Sequence, residues 1–257
     1  MNNFKKVYTA EKLKSNGLVT LVTLPMEESI MVPIAQIIDL MKQGENVLFF
    51  SFNHDSIKIN EFLVPALKNE TKPEEITGGL SVFDSHQIPK GEDCIKFIEE
   101  QVLDIKEILE REGKSLSFIF LDLPFEKLGD QKTFDNLRRI KFTQSITSVL
   151  VKTLNMPILT ASQMQNQEES KKVMDDFMDK DMFKEMFKES NKLMADSDLI
   201  LGIKREKQTF WKKLINFLLF WRKRNNFTLK VIKNRSGSDG QSYRMNINMD
   251  EFRTEIL

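Results

Sequence analysis

The sequence predicts an α/β fold, with a doubly wound, mainly parallel sheet that ends in an antiparallel hairpin. Three observations predict this fold. Short runs of β-branched and large apolar residues recur between residues 17 and 162, and segments with helical periodicity separate them. Crossovers of this length join parallel strands, which a tight turn cannot connect. Near the C-terminus, the runs at 227–233 and 243–249 flank NRSGSDG, a turn signal that predicts antiparallel pairing.

Each element follows from its own residues. The run LVTLVTLP from Leu18 predicts a strand buried on both faces. The next helix has its apolar register at 34, 37, 38 and 41, tolerates Pro33 in its first turn and ends at Gly44. The same patterns predict further strands at 47–52, 80–83, from 116, from 156 and at 197–203, and further helices at 57–67, 95–111 and 134–154.

Composition limits the class of protein. The 257 residues include 38 Lys and Arg and 38 Asp and Glu, so any contact with nucleic acid needs a local basic patch. The length and the 40% hydrophobic content indicate a single domain over 1–257. A single cysteine, Cys94, excludes an internal disulfide, and with two histidines it argues against a zinc cluster. The N-terminus lacks an apolar signal core, and the run at 214–221 is far shorter than the ~20 residues of a membrane span, so we expect a cytoplasmic protein.

Two inserts interrupt the alternation of strands and helices. Residues 165–194 are highly charged and are expected to be helical, with Met and Phe along one stripe. Such a stripe is more often core or intersubunit packing than a ligand groove, although Met also suits adaptable surfaces. The second insert, 208–226, is basic and aromatic.

The basic aromatic insert has three competing interpretations. From 204 to 224 the chain carries eight basic residues and one acidic residue around an apolar stretch. A helix docked on the sheet or on a neighbouring subunit is favoured; an interfacial membrane anchor and a surface that stacks single-stranded DNA bases stay open. Membrane contact through this insert would make the protein peripheral to a membrane. The candidate contact residues are Lys204, Arg205, Trp211, Lys212, Lys213, Trp221, Arg222, Lys223 and Arg224.

Three ordered fragments carry a resemblance to a known family. They are TASQMQNQ at 160–167, ADSDLILGIKREK at 195–207 and LKVIKNRSGSDGQSYRMNINMDEFRTEI at 229–256. Together they resemble the C-terminal half of the RecA-like motor domain of DnaB-type replicative helicases, and the resemblance covers about residues 15–257. It implies a RecA-like fold and a homo-oligomer or hetero-oligomer of RecA-like subunits. The resemblance does not extend to the family's N-terminal helical domain.

The phosphate loop departs from the family's pattern. A loop that cradles phosphate needs Gly for backbone approach, Lys for charge and a hydroxyl for magnesium. Aligning TLPMEESIM on Pro25 puts Glu28 where Gly belongs, Ser29 where Lys belongs and Ile30 where the hydroxyl belongs. Glu27 and Glu28 would also repel a triphosphate. We therefore expect no nucleotide cofactor, and Mg-ATP only if the loop has rearranged.

The catalytic positions also differ from the family's pattern. Asn53 stands where the family has its catalytic glutamate, and Asn cannot take a proton from water. His54 or Asp55 could replace it as base. Asp122 matches the family's magnesium-orienting aspartate, or else is a strand-end carboxylate that caps a loop. Gln163 matches a glutamine that couples the nucleotide state to the DNA-facing loop, or else is a buried polar group bonded to backbone.

The residues that the family offers to its neighbour are retained. Lys233 and Arg235 match a basic pair inserted into the next subunit's phosphate site, or else are solvated turn residues. The sequence thus predicts a subunit that does not hydrolyse ATP, with a structural or regulatory role in DNA replication, recombination or a phage-type assembly. An active DNA-dependent ATPase or helicase with an altered phosphate loop is one alternative. A membrane-associated or virion structural protein is the other.

Overall fold

The structure is a computed structural model of the chain. It describes residues 13–15, 17–23, 30–70, 76–89, 93–123, 150–152, 154–163, 196–205, 224–237, 240–248 and 253–256. The expected helical insert at 165–194, most of the helix expected at 134–154 and residues 208–223 of the basic aromatic insert lie outside these ranges.

One mixed sheet organises the described part of the chain. Its nine strands lie in the order β3-β2-β4-β5-β1-β6-β7-β8-β9. Pairing is parallel from β3 to β6 and antiparallel from β6 to β9, which confirms the predicted fold class. The strands are β1 Leu18–Thr23, β2 Asn46–Ser51, β3 Leu80–Phe83, β4 Leu116–Leu123, β5 Ile158–Gln163, β6 Leu199–Arg205, β7 Arg224–Asn234, β8 Ser242–Asn248 and β9 Arg253–Ile256.

Three helices of the described chain cross over between the first strands. They are α1 Met31–Lys42, α2 Ser56–Glu70 and α3 Asp93–Arg111. Gly44 follows α1 with a φ of 84°, and its N–H donates to the carbonyl of Met41, so it ends the helix as predicted. These helices give the parallel strands the crossovers that their pairing requires.

The sheet has a hydrophobic core on each face. On one face α1 and α2 cover alternate residues of the central strands, including Val19, Phe49 and Phe120. On the other face α3 covers the intervening residues, including Leu18 and Phe50. The central strands are therefore apolar on both sides, as the continuous apolar runs predict.

The C-terminal region corrects two sequence-based expectations. β7 begins at Arg224, so residues 224–226 belong to the sheet and not to the predicted insert at 208–226. β9 pairs with β8 and was not predicted, because RTEI is a short run with only one large apolar residue. Both differences arise because pairing with a neighbouring strand extends β structure into residues with little apolar pattern.

Candidate functional site

The parallel strands bring polar residues together at their carboxyl ends. Asp122, near the end of β4, pairs in register with Ser51, the last residue of β2. The Phe52 N–H donates to the Asp122 carbonyl at 3.0 Å, so the segment that follows β2 begins next to the end of β4. In open parallel sheets, ligands bind outside this edge.

Asp122 is buried, and side-chain donors surround its carboxylate. Only 3% of the residue is exposed. The Ser51 hydroxyl donates to Oδ2 at 2.9 Å, and the Asn53 amide donates to Oδ1 at 2.9 Å. The Ser51 oxygen also accepts the His54 N–H at 3.1 Å, which fixes the loop that carries Asn53. Each carboxylate oxygen therefore has an intramolecular donor.

Burial dominates the electrostatics of this carboxylate. It raises the pKa of Asp122 above its ordinary value, while the nearby charge of His54 and the bonds from Asn53 and Ser51 lower it in part. The His54 Nε2 lies 3.8 Å from Oδ2, and 20% of the His54 side chain is exposed. The partners offset only part of the cost of burying the charge.

Two described residues, Asp122 and Ile30, bear on magnesium binding in the pose of the family. Both Asp122 oxygens already accept a hydrogen bond from a neighbouring side chain. Ile30, aligned with the metal-binding hydroxyl, is 1% exposed and packs in the core on the α1 side of the sheet. Pro25, Glu27, Glu28 and Ser29 lie outside the described residues. Within the described chain, no group of three His, Cys, Asp or Glu side chains could hold a metal ion.

Asp55 serves the helix that follows it. Its Oδ1 accepts the Lys58 N–H at 2.8 Å, the bond of an N-cap residue in the first turn of α2. A carboxylate held this way faces the helix backbone. The structure therefore gives Asp55 a capping role, and it brings His54 rather than Asp55 to Asp122.

Asp84, which the sequence analysis did not single out, joins the same edge of the sheet. It follows β3, is 7% exposed and accepts N–H bonds from Ser56, His86 and Gln87 at 3.0, 2.9 and 3.2 Å. Burial alone would raise the pKa of Asp84, but these bonds lower it below its ordinary value. An Asp that opens a turn directly after a strand is the signal that could have identified it.

Arg235 lies at the other end of the strands from Asp122. We call the end of the sheet where the parallel strands begin its amino edge, and the end where they finish its carboxyl edge. β7 runs antiparallel to β6, so the turn after Asn234 lies at the amino ends of the parallel strands. The Arg235 Nη1 donates to Oδ1 of Asp198 at 2.7 Å, and the Arg235 N–H donates to the Asp198 carbonyl at 2.8 Å. Oδ2 of Asp198 accepts the N–H groups of Gly17 and Leu18 at 2.9 and 3.1 Å. Arg235 is thus an exposed turn residue that is ion-paired within the chain.

The remaining candidate residues are spread over the fold. Lys233 pairs with Ile200 near the amino edge, and Gln163 ends β5 opposite Thr23. Lys204 and Arg205 end β6, and Arg224 opens β7, so these three residues lie on strands near the carboxyl edge. Trp211, Lys212, Lys213, Trp221, Arg222 and Lys223 lie outside the described residues. In the part of the chain that the structure describes, no helix is long and apolar enough to cross a membrane.

Comparison with solved structures finds domains of DnaB-like helicases. The ATPase domain of one such helicase superposes with a TM-score of 0.63 at 12% identity, covering 95% of this chain and 85% of that one. A DnaB-like replicative helicase, described with its interactions with primase, gives a TM-score of 0.58 at 12% identity; the match covers 91% of this chain and 56% of the helicase. At this identity the similarity shows the fold, which is the RecA-like fold of DnaB-type ATPase domains. No protein-family model matches the sequence, and no curated protein matches it.

Proposed function

We propose that the chain is a non-hydrolysing subunit of an assembly of RecA-like subunits that works in DNA replication, recombination or a phage-type assembly. The observation that carries the proposal is the hydrogen bond from the Asn53 amide to Asp122 at 2.9 Å. The resemblance to the DnaB family puts Asn53 at the position of the catalytic glutamate. A neutral donor there supports a structural or regulatory role.

An amide at position 53 cannot act as the general base that the family's glutamate provides. A general base needs a lone pair that can take a proton from water, and an Asn side chain has no such basicity. The Asn53 amide instead donates to Asp122. A glutamate at 53 would set a second carboxylate against a buried one, where like charges interact strongly. Asn53 at this site is therefore suited to a hydrogen bond with Asp122 and not to the activation of water.

The phosphate end of the site supports the same conclusion. Ile30 directly precedes α1 and is buried in the core, and an isoleucine side chain has no hydroxyl to offer to a metal. The sequence puts Glu27 and Glu28 immediately before it, and carboxylates repel a triphosphate. Loss of the base, the metal hydroxyl and the phosphate-binding lysine together argues against a subunit that hydrolyses its own ATP.

The position of Arg235 supports a role toward a neighbour. Four strand spacings and about four residues along the strands separate it from Asp122, a distance on the order of 20 Å. No side chain spans that distance, so Arg235 cannot serve the site of its own subunit. A head-to-tail assembly would instead bring the amino edge of one subunit to the carboxyl edge of the next. Arg235 would then act in trans on an active partner's phosphate.

Calorimetry tests the absence of nucleotide binding. Mg-ATP is titrated into the full chain, with and without single-stranded DNA, and Asp122→Asn is the matched variant. We expect no heat of binding in any of the four titrations. Micromolar binding that requires magnesium and is lost in Asp122→Asn would overturn the proposal and support the alternative of an active ATPase with an altered phosphate loop.

A second experiment tests the role in trans. A RecA-like ATPase that co-purifies with the chain is assayed with the wild type, with Arg235→Ala and with Lys114→Ala, an exposed cation of the turn that precedes β4. An arginine that acts on a neighbour's phosphate contributes about 10³-fold or more to turnover. We expect Arg235→Ala to remove the stimulation and Lys114→Ala to keep it. Equal stimulation by all three would contradict a role of Arg235 in trans.

A further inference from the structure

We propose that Asp198 is a latch for Arg235, which holds the guanidinium within the chain until an incoming phosphate takes it. Asp198 and the phosphate would compete for the same cation. The identity of that phosphate, the nucleotide of a neighbouring subunit, rests on the proposed function. The latch itself rests on contacts between described residues at the amino edge of the sheet.

The carboxylate of Asp198 is anchored independently of Arg235. Its Oδ2 accepts the N–H groups of Gly17 and Leu18 at 2.9 and 3.1 Å, while its Oδ1 accepts Nη1 of Arg235 at 2.7 Å. The side chain of Asp198 is 24% exposed, so water can reach it. When Arg235 leaves, Oδ2 keeps its two bonds and Oδ1 can be hydrated, so release leaves no buried acceptor without a partner.

The backbone of the turn is also fixed without the ion pair. The Arg235 N–H donates to the Asp198 carbonyl at 2.8 Å. The N–H and the hydroxyl of Ser236 both donate to Oδ1 of Asn234 at 3.1 Å. The position of the Cα atom of Arg235 is therefore set by bonds other than the salt bridge. A rotation of the Arg235 side chain can therefore take the guanidinium away from Asp198 without moving the backbone of the turn.

The ion pair is weak enough to be exchanged. The Arg235 side chain is 52% exposed, and an ion pair with this exposure changes an equilibrium by about five-fold or less. A phosphate can accept two parallel N–H bonds from the guanidinium and carries more negative charge than a carboxylate. While Asp198 holds Arg235, its carboxylate would also repel the phosphate. The two partners therefore exclude each other.

A titration with inorganic pyrophosphate tests the latch. Calorimetry measures the affinity for pyrophosphate in the wild type, Asp198→Asn, Arg235→Ala and the double variant of the full chain. In the two isotope-labelled proteins that keep Arg235, its Nε–Hε resonance is also followed by NMR. Asn at 198 keeps an oxygen that can accept the N–H groups of Gly17 and Leu18, but it lacks the negative charge that attracts Arg235. We expect Asp198→Asn to bind pyrophosphate up to about five-fold more tightly than the wild type. The two variants that lack Arg235 should lose this gain. Equal or weaker binding by Asp198→Asn would overturn the proposal.

The wild type alone gives a second test, which holds even if Asp198→Asn does not fold. Pyrophosphate should shift the Arg235 guanidinium resonance while the Gly17 and Leu18 amides keep their positions, since Oδ2 of Asp198 stays bonded to them. Movement of all three resonances together would contradict a side-chain latch. Failure of the latch and failure of the proposed function are distinguishable. The titration can support the latch while Arg235→Ala leaves a partner's turnover unchanged. Conversely, Arg235→Ala can lower a partner's turnover while the titration contradicts the latch.

Discussion

Asp122 shows how one buried charge shapes the site. Two neutral donors hold its oxygens, and His54 Nε2, which lies 3.8 Å from Oδ2, is charged only when protonated. Neutral hydrogen bonds recover only part of the solvation that a carboxylate loses on burial. The raised pKa of Asp122 reflects this deficit. We therefore expect the charged form of Asp122 to lower the stability of the fold at neutral pH.

Replacing Asp122 by Asn should stabilise the protein. The Asn amide can donate to the Ser51 oxygen, and its carbonyl can accept from Asn53, so both positions stay bonded without a buried charge. At pH 7.5 we expect the free energy of unfolding to rise by about 1–3 kcal/mol. The folded pKa of Asp122 is raised, so the wild type gains stability as pH falls through it, and the difference shrinks toward the unfolded value of about 3.9. Urea unfolding at several pH values measures this, with the exposed Asp104→Asn as control. A less stable Asp122→Asn at pH 7.5 would contradict the account.

At the scale of elements, Asp84 ties the end of β3 to the start of α2. Its carboxylate accepts N–H groups from both sides of this junction, and Asn would present an amide N–H to one of them. We expect Asp84→Asn to lower the free energy of unfolding by about 1–3 kcal/mol at pH 7. The folded pKa is lowered, so this contribution is complete above the unfolded pKa of about 3.9 and is lost as pH falls through the folded value. Denaturation at pH 7 and at a series of lower pH values measures it. A penalty that stays constant over the whole series would show that packing, not charge, accounts for the loss.

The loop before β3 depends on a close backbone approach. A Cβ at Gly78 would lie 2.1 Å from the carbonyl oxygen of Glu45, and the Gly78 N–H donates to the Met41 carbonyl at 2.9 Å. Backbone on both sides leaves no flexible side chain to yield. We expect Gly78→Ala to cost about 2 kcal/mol or more. Gly113→Ala is the control for a glycine with open space, although its φ of 71° adds a strain of its own. Thermal unfolding compares the two variants, and equal midpoints would contradict a steric cause at Gly78.

The sequence was most informative where a single element shows its own pattern. The apolar register of α1 and the turn between β7 and β8 are local, so both were predicted. The contact of Asp198 with Gly17 joins residues 181 positions apart, and no local pattern reports such a pairing. The Asn53 position was identified through family resemblance, but its bond to Asp122 depends on the register of β2 and β4. Tertiary contacts of this kind need the sheet order before they can be derived.

At the scale of the whole molecule, the proposed head-to-tail assembly would use the two ends of the parallel strands. Arg235 lies at the amino edge, and Ile57, which is 72% exposed, lies in the first turn of α2 next to the carboxyl edge. A head-to-tail interface joins unlike surfaces, so each subunit has two different contacts. We therefore expect the wild type to self-associate, and Arg235→Glu and Ile57→Asp each to disable one contact and prevent growth of the assembly.

Mixing the two variants tests the head-to-tail arrangement directly. The intact amino edge of Ile57→Asp can meet the intact carboxyl edge of Arg235→Glu, so the mixture should form heterodimers while each variant alone stays monomeric. Sedimentation velocity at matched concentrations measures this. The control is Leu103→Asp, which changes an apolar residue of α3 that is 50% exposed and should leave association unchanged. In a two-fold symmetric dimer that buries Arg235, Arg235→Glu alone would dissociate the complex, Ile57→Asp would not, and mixing would restore nothing. That result, or a monomeric wild type, would contradict head-to-tail self-assembly.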